Sequence, residues 1–197
     1  MNGENAKVCA VVAAAGLSSR MGAFKPLLPF GGTTVIGRCI ANLRVASAGE
    51  IVVVTGHRAE ELEAHLADSG VTFVRNPDYA STQMFDSLRL GLRALSGDNG
   101  AVLLTPGDVP LVRPETIHAL LRARGGFVRP VCAGRHGHPV ALDASWLDAL
   151  LAWNGGGGLR GAVSALGIPV TEVEVEDEGM PLDMDTPADY EKLLGML

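Results

Sequence analysis

The sequence has few cysteines, and they are not arranged in pairs. Only Cys9, Cys39 and Cys132 occur in 197 residues, and none stands in the C-x-x-C spacing of a structural zinc site. Cys9 lies in an apolar strand-like run and Cys39 on an apolar helix-like face, where a reduced thiol behaves as a small hydrophobe. Neither a disulfide framework nor a zinc site is predicted.

Long apolar runs and an excess of positive charge are also missing. The longest apolar run, residues 8–15, is far shorter than the roughly 20 residues that a membrane helix requires. The first seven residues lack the basic flank and apolar stretch of a signal peptide, which predicts a cytoplasmic protein. Lys plus Arg is 16 against Asp plus Glu 22, a net charge of −6, which argues against nucleic acid or an anionic membrane as a partner.

No linker rich in proline or serine, no heptad pattern and no internal repeat interrupts the chain. Residues 1–197 are therefore interpreted as a single domain. The composition, 47% hydrophobic and 19% charged, supports a buried core and excludes extended disorder.

Apolar runs alternate with amphipathic helical segments along the chain. Nearly continuous apolar runs are typical of strands buried on both faces of a parallel sheet. The alternation predicts an α/β fold with three α/β/α layers and a mostly parallel sheet. The predicted strands are residues 8–15, 50–55, 71–75, 101–105, 127–132 and 170–175.

Five helices are predicted from apolar spacing or from start signals. They begin after Thr34, after Arg58, at Met84, at Pro114 and at Pro187. The third carries apolar residues through Leu95, and the fourth is predicted to span residues 114–124. Thr186 as N-cap and Asp189 three residues later form a capping box for the last helix. Residues 155–158, four glycines, are predicted to be a flexible loop.

A loop of small residues with two cations follows the first predicted strand, with the sequence AAAGLSSRMGAFK over residues 13–25. Gly16 lets the backbone approach a ligand closely, and Ser18 adds a hydroxyl donor. Arg20 and Lys25 can neutralise a triphosphate, and Lys25 suits the α-phosphate, where charge builds in a transition state. The loop has neither G-x-G-x-x-G nor G-K-S/T, which excludes the dinucleotide fingerprint and the P-loop. A solvated strand-to-helix loop is the alternative interpretation.

Two carboxylates are predicted at the same edge of the sheet. Asp108 directly follows a predicted strand, and Asp185 directly precedes the last helix; ligands of open α/β sheets bind at the carboxyl ends of the strands. Magnesium takes one or two protein carboxylates and completes its shell with triphosphate oxygens and water. Asp108 and Asp185 are therefore the predicted ligands of Mg²⁺, and Asp183 is a weaker candidate. A turn or cap role for Asp108 is the alternative.

Together these segments resemble the molybdenum cofactor cytidylyltransferases among the MobA-like nucleotidyltransferases. The segments that carry the resemblance are GLSSRMG with Lys25, NPDY at 76–79, GDVP at 107–110, GHP at 137–139 and DMDTP at 183–187. They occur in order over residues 8–190. The resemblance implies a Rossmann-like nucleotidyltransferase domain that transfers CMP from CTP to molybdopterin phosphate and releases pyrophosphate.

The resemblance also implies roles for individual residues. Lys25, Arg20 and Asp108 would act in catalysis, and Asp108 with Asp185 would hold Mg²⁺. His138 and Arg135 would border the acceptor phosphate; a Gly-His-Pro turn that only holds a loop is the alternative for His138. The nucleotide would be bound by Ala14, Ala15, Gly16, Ser18, Asn76, Asp78 and Ser87.

The choice of base is predicted from Ala14 and Ala15 and from Ser87. Cytidylyl members of the family resemble this chain in the two alanines, whereas guanylyl members carry an extra glycine there. An alanine methyl group leaves less room for a base near the backbone, which suits a pyrimidine better than a purine. Ser87 resembles a serine that contacts cytosine in related cytidylyltransferases. Gln83 and Asp86 depart from the family pattern, because many relatives have glycine and a small residue at these positions.

Other functions fit the same residues. The loop and the acids suit nucleotidyl transfer to another phosphorylated acceptor, such as a sugar or polyol phosphate, or transfer from GTP. A non-catalytic nucleotide carrier, or a chaperone that hands the cofactor to a partner molybdoenzyme, is a further alternative. The predicted mechanism is in-line attack of an acceptor phosphate, already anionic near neutral pH, on the α-phosphorus, without a general base or a covalent enzyme intermediate.

Overall fold

The computed structural model describes residues 7–46, 48–97, 99–123 and 125–197. Ten strands and seven α-helices lie within these ranges. In chain order they are β1 (Lys7–Ala13), β2 (Pro29–Phe30), β3 (Thr33–Thr34), α1 (Val35–Val45), β4 (Glu50–Thr55), α2 (Ala59–His65), β5 (Thr72–Arg75), α3 (Met84–Ala94), β6 (Asn99–Pro106), α4 (Pro114–Arg122), β7 (Phe127–Cys132), β8 (Arg135–His136), β9 (Val140–Asp143), α5 (Leu147–Ala152), α6 (Gly158–Ala165), β10 (Val170–Glu174) and α7 (Pro187–Leu194).

Eight of these strands form one sheet in the order β10-β7-β9-β6-β1-β4-β5, with β8 paired to β7. The pairs of β1 with β4 and β6, of β4 with β5 and of β10 with β7 are parallel. Strand β9 is antiparallel to both of its neighbours. The predicted mostly parallel sheet is therefore confirmed. The chain runs from β1 to β4 and β5 on one side and returns to β6 on the other, so the carboxyl ends of β1 and β6 adjoin at a topological switch point.

Helices cover both faces of this sheet because successive strand side chains point to opposite faces. On one face Ala10 and Val12 pack with α1, α2 and α4. On the other face Val11 packs with α3, α5 and α6. A third cluster joins Leu193 of α7 to Phe30 of β2. The predicted three-layer α/β/α architecture is confirmed.

The predicted strands agree with the observed ones to within two residues at each end. Residues 50–55 and 127–132 coincide with β4 and β7. Strand β1 ends at Ala13, so the two alanines that follow belong to the loop rather than to the strand. Strands β2, β3, β8 and β9 and helices α5 and α6 were not predicted.

The helix starts predicted after Thr34 and Arg58 and at Met84, Pro114 and Pro187 are confirmed. Their ends differ more from the prediction: α3 stops at Ala94, because Leu95 has an extended backbone. Helix α4 ends at Arg122, and Arg124, the last residue of the predicted helix, lies outside the described residues. Helix α6 already begins at Gly158, the last residue of the predicted glycine loop.

The capping box of α7 is confirmed. The backbone N–H of Asp189 donates to Thr186 Oγ1 at 3.2 Å, and the backbone N–H of Thr186 donates to Asp189 Oδ2 at 2.8 Å. Because both groups would otherwise be unpaired at the helix start, the turn that precedes α7 is held in place. None of the described helices has the length and apolar character that crossing a membrane requires.

The three cysteine thiols are free and buried. Burial raises the pKa of the Cys39 thiol, which keeps it protonated. Cys9 Sγ donates to Asn99 Oδ1 at 2.7 Å, at the amino ends of β1 and β6. The thiols of Cys39 and Cys9 are thus parts of the buried interior.

Asp177 connects the segment after β10 to the start of α4. Its side chain is 1% exposed, and Oδ2 accepts the backbone N–H of Arg113 at 2.9 Å and the Thr116 hydroxyl at 2.6 Å. We expect Asp177→Ala to lower the free energy of unfolding by about 1–3 kcal/mol, because it leaves these donors unpaired in the interior. Urea denaturation measures the loss. Asp177→Asn keeps an acceptor oxygen and should lose less; an equal loss in both variants would contradict the capping role.

Candidate active site

The loop after β1 and the turn after β6 lie side by side at the carboxyl edge of the sheet. The backbone N–H of Gly107 donates to the carbonyl of Ala13 at 2.9 Å. A Cβ on Gly107 would lie 2.8 Å from Ile36 Cδ1 and 3.3 Å from Ala14 Cβ. Only glycine allows the turn to approach the loop this closely, and the approach brings Asp108 next to the loop.

The loop after β1 turns back on itself at Ser18. Ser18 has a left-handed backbone with φ 54°, its carbonyl accepts the N–H of Met21 at 3.0 Å, and its hydroxyl oxygen accepts the N–H of Lys25 at 3.4 Å. Gly16 is exposed, and no atom outside its immediate neighbours lies within 4 Å of the position that a Cβ would take. The turn thus leaves open space above the backbone before Ser18.

Lys25 is the centre of an ion-pair network that joins this loop to both predicted metal ligands. Its Nζ lies 2.7 Å from Asp185 Oδ1 and 3.4 Å from Asp108 Oδ2, and its side chain is 11% exposed. Arg20 Nη1 lies 2.8 Å from Asp185 Oδ2, with its side chain 70% exposed. Four charged side chains predicted from three separate segments therefore meet at one place.

The two carboxylates of this network differ in their electrostatics. Burial raises the pKa of Asp108; the charge of Lys25 opposes this increase, and the charges of Asp183 and Asp185 add to it. In contrast, the hydrogen bond from Lys25 lowers the pKa of Asp185. Asp108 is thus the carboxylate whose negative charge is less fully compensated.

Asp108 also has an unpaired oxygen. Its Oδ1 is buried, and it has no hydrogen-bond partner in the described part of the chain. A buried carboxylate oxygen without a partner costs free energy, and a hard divalent cation bound to it would offset that cost. The described residues include no group of three or more His, Cys, Asp or Glu side chains that could hold a metal ion. With two carboxylates, Asp108 and Asp185 could hold a magnesium ion that takes its other ligands from phosphate and water.

A cavity of about 220 Å³ opens between the loop, the turn and the start of α3. Among the predicted residues, Ala14, Ala15, Gly16, Ser18, Lys25, Ser87 and Asp108 line it. The lining residues to which the sequence assigned no binding or catalytic role are Ala13, Pro26, Tyr79, Thr82, Gln83, Met84, Pro106 and Gly107. This cavity, called the smaller cavity below, brings together most of the predicted nucleotide-binding residues.

Asn76 and Asp78 are placed behind the wall of the smaller cavity rather than in it. Asn76 is buried, and its side-chain nitrogen donates to the hydroxyls of Thr82 and Ser87. The carbonyl of Asp78 accepts the Thr82 hydroxyl at 3.0 Å. Asn76 and Asp78 thus support Thr82, and Asn76 also supports Ser87; both supported residues line the cavity.

Gln83 and Asp86, the two departures from the family pattern, form the start of α3. Asp86 Oδ2 accepts the backbone N–H of Gln83 at 2.9 Å, which satisfies a donor that would otherwise be unpaired at the helix start. Gln83 also lines the smaller cavity, whereas Asp86 does not. Asp86 therefore has a structural reason to be present, one residue before Ser87.

A second and larger cavity, of about 970 Å³, adjoins the smaller one, and the two share Asp108, Met84 and Pro106. Its wall carries the basic residues Arg129, Arg160, His136 and His138, together with the carboxylates of Asp108 and Asp183. The pattern of β7 offers one signal for this wall, since Arg129 interrupts an otherwise apolar strand. Arg160 has no such signal in the sequence.

Glu172 holds two of the basic groups of the larger cavity. Its Oε1 accepts Arg129 Nε at 3.0 Å and lies 2.9 Å from His136 Nε2. These bonds, first of all the one from Arg129, lower the pKa of Glu172. The carboxylate fixes the direction of the guanidinium and the imidazole at the cavity wall.

The two residues predicted to border the acceptor occupy different places. His138 lines the larger cavity; burial lowers the pKa of its ring, and its Nδ1 has no partner among the described residues. Arg135 does not line the cavity: it is exposed and donates from Nη2 to the carbonyl of Pro181 at 3.1 Å. Because Pro181 is a lining residue, Arg135 supports the wall from outside.

Comparison with known proteins identifies similar chains. The model of the MobA-like NTP transferase domain matches residues 10–170. The chain is 31% identical over 182 residues to the molybdenum cofactor cytidylyltransferase of Escherichia coli (strain K12), which covers 91% of this chain and 92% of that protein.

Two solved structures have the same fold. A nucleotidyl transferase from Methanothermobacter thermautotroptrophicus superposes with a TM-score of 0.82 and 31% identity, over 98% of this chain and 97% of that one. Rv0371C from Mycobacterium tuberculosis H37Rv, in complex with manganese, superposes with a TM-score of 0.81 and 29% identity, over 96% and 98% of the two chains.

Proposed function

The chain belongs to the MobA-like NTP transferase family and is a nucleotidyltransferase, and on this premise we propose that it transfers CMP from CTP to molybdopterin phosphate and releases pyrophosphate. The observation that carries the proposal is the position of Lys25, which contacts Asp108 and Asp185 where a smaller and a larger cavity meet. Adjoining sites hold two substrates close enough to react, and a cation at their boundary stabilises the negative charge that develops during transfer.

The smaller cavity is proposed to hold the nucleotide. Ala14, Ala15 and Ser87 line it, and two small side chains beside a hydroxyl-bearing one suit a small polar base. The loop that contains Ser18, Arg20 and Lys25 would hold the triphosphate. Identity of 31% to a molybdenum cofactor cytidylyltransferase supports CTP as this nucleotide.

Asp108 and Asp185 are proposed to hold Mg²⁺ with the triphosphate; the manganese complex of the Mycobacterium tuberculosis relative supports a divalent cation in the family. When bound, the ion supplies charge neutralisation at the phosphate oxygens. Lys25 and Arg20 contact these carboxylates in the free protein. When Mg²⁺ and the triphosphate bind, the two cations could contact phosphate oxygens while Mg²⁺ pairs with the carboxylates. No charge would then be left unpaired. Lys25 would then contact the α-phosphate and stabilise the negative charge that develops there in the transition state.

The larger cavity is proposed to hold the acceptor. Arg129, Arg160 and His136 on its wall would attract an anionic molecule, and a volume of about 970 Å³ suits a bulkier partner than a simple sugar phosphate. Because a phosphate monoester is already anionic near neutral pH, the chain needs to position it rather than to deprotonate it. Asp108, shared by both cavities, marks the boundary at which the α-phosphate would be transferred.

Pyrophosphate release tests this function. CTP, GTP, ATP and UTP are supplied in turn with Mg²⁺, each with and without molybdenum cofactor. We expect release only with CTP and the cofactor together. Release with GTP would overturn the choice of base, release with a sugar or polyol phosphate in place of the cofactor would overturn the acceptor, and nucleotide binding without any turnover would favour a carrier.

A further inference from the structure

The side-chain amide of Asn76 lies directly behind the wall of the smaller cavity. It follows β5, and it is 3% exposed. Its Oδ1 accepts the backbone N–H of Asp78 at 3.0 Å. A backbone N–H can only donate, so this contact assigns the oxygen and the nitrogen of the amide. The nitrogen must therefore face the other way.

That nitrogen donates to two hydroxyl groups. Nδ2 lies 2.9 Å from Thr82 Oγ1 and 3.0 Å from Ser87 Oγ, which uses both of its hydrogens. The Thr82 hydroxyl donates to the carbonyl of Asp78 at 3.0 Å. Both Thr82 and Asn76 thus have defined donor roles that do not involve the cavity.

Ser87 differs from Thr82 in this respect. Its oxygen accepts from Asn76, so its own hydrogen must point elsewhere, and the Ser87 hydroxyl donates no hydrogen bond to another group in the described part of the chain. The side chain is 5% exposed and lines the smaller cavity. The direction left for the Ser87 O–H is into the cavity.

We propose that Asn76 is a positioning residue that makes the Ser87 hydroxyl a donor toward the base and thereby selects cytosine over uracil. Cytosine presents an unprotonated ring nitrogen, N3, as an acceptor, whereas N3 of uracil carries a hydrogen and cannot accept. The inference rests on the proposed function in one respect, namely that a pyrimidine nucleotide occupies the smaller cavity.

Asn76→Asp tests the proposal because it keeps the shape of the side chain and reverses the hydrogen bond. The carboxylate would accept the Ser87 hydrogen and leave only oxygen lone pairs facing the base. We expect KM and the dissociation constant for CTP to rise about tenfold, the effect of one hydrogen bond to a buried group. The values for UTP should change much less, so the preference for CTP over UTP falls, while kcat changes little.

Ser87→Ala and the double variant complete the experiment. Ser87→Ala should raise KM for CTP to a similar extent, and Asn76→Asp should add little in its presence, because the two residues act through one hydroxyl. Asn99→Asp, the same change at the far end of β6, is the matched control and should leave the CTP to UTP ratio unchanged. Equal losses for CTP and UTP, or additive losses in the double variant, would overturn the proposal.

Failure of a variant to fold and failure of the proposed function can each be distinguished from failure of this inference. If Asn76→Asp does not fold, Asn76→Ala frees the Ser87 hydroxyl to rotate and must lower the CTP to UTP ratio; an unchanged ratio would overturn the proposal. If the unmodified chain turns over another nucleotide and not CTP, the proposed function fails. The same variants measured with that nucleotide then decide the inference, since non-additive losses of affinity support the donor role and additive losses oppose it.

Discussion

Lys25→Met is expected to lower kcat by about 100- to 1000-fold with a much smaller change in KM for the nucleotide, the size of effect seen when a donor to a developing negative charge is removed. Lys25 contacts Asp108 and Asp185 in the free protein. Its contact with the α-phosphate would strengthen only as charge builds there, so the loss belongs to the transition state. Methionine keeps an unbranched side chain one atom shorter than lysine, and it removes the charge together with the N–H donors.

Steady-state kinetics of pyrophosphate release measure this effect. Lys7→Met, the same change on the exposed residue that opens β1 at the opposite edge of the sheet, is the matched control and should change kcat less than twofold. A Lys25 variant with unchanged kcat and a raised KM would show that Lys25 contributes only to ground-state binding.

Asp108→Asn is expected to have the second large effect, a loss of activity of more than about 100-fold, because the charge that holds a divalent cation contributes several kcal/mol to a phosphoryl transition state. The variant keeps the shape of the side chain and its contact with Lys25 is weakened rather than removed. Its unpaired Oδ1 makes Asp108 the residue that gains most from a cation. The Mg²⁺ concentration for half-maximal activity should rise together with the loss of rate.

Asp183→Asn is the comparison for this variant. Asp183 lines the larger cavity and raises the pKa of Asp108 through its charge, but it makes no contact with Lys25. We expect a clearly smaller rise in the Mg²⁺ requirement than for Asp108→Asn; the reverse order would assign the metal to Asp183.

Because burial raises the pKa of Asp108 and its ionised form binds the cation, the Mg²⁺ requirement of the unmodified chain should rise as the pH falls through that pKa.

Most of the sheet could be predicted because a strand buried on both faces is apolar along most of its length. Strands β4 and β7 coincide with predicted runs for this reason. Strand β9 was missed, since it has four residues and its antiparallel place between β6 and β7 depends on where the chain returns. The ends of α3 and α4 were predicted less well than their starts, because proline and capping residues mark a helix start and neither end carried such a signal.

The residues proposed for the chemistry of the site could be named from the sequence, whereas their geometry could not. The types and positions of Lys25, Asp108 and Asp185 indicated a phosphate and metal site. Lys25 lies in the loop after β1, Asp108 follows β6 and Asp185 precedes α7, and the carboxyl ends of β1 and β6 lie at one edge of the sheet. That Lys25 contacts both acids, from 83 and 160 residues away, follows only from the order of the strands. The meeting of Arg129 and Arg160 at the wall of the larger cavity also depends on that order, since the two residues lie on different elements.

The sequence by itself determined the fold class, the loop that would bind phosphate and the pair of acids, because periodicity, capping and residue chemistry are local properties of the chain. Tertiary structure alone decided that Asn76 lies behind Ser87 rather than in the cavity, that Arg135 faces Pro181, and that Asp108 stands between two cavities. The physical reason is that hydrogen-bond partners and burial are set by packing between distant segments, and the order of residues along the chain does not contain these distances.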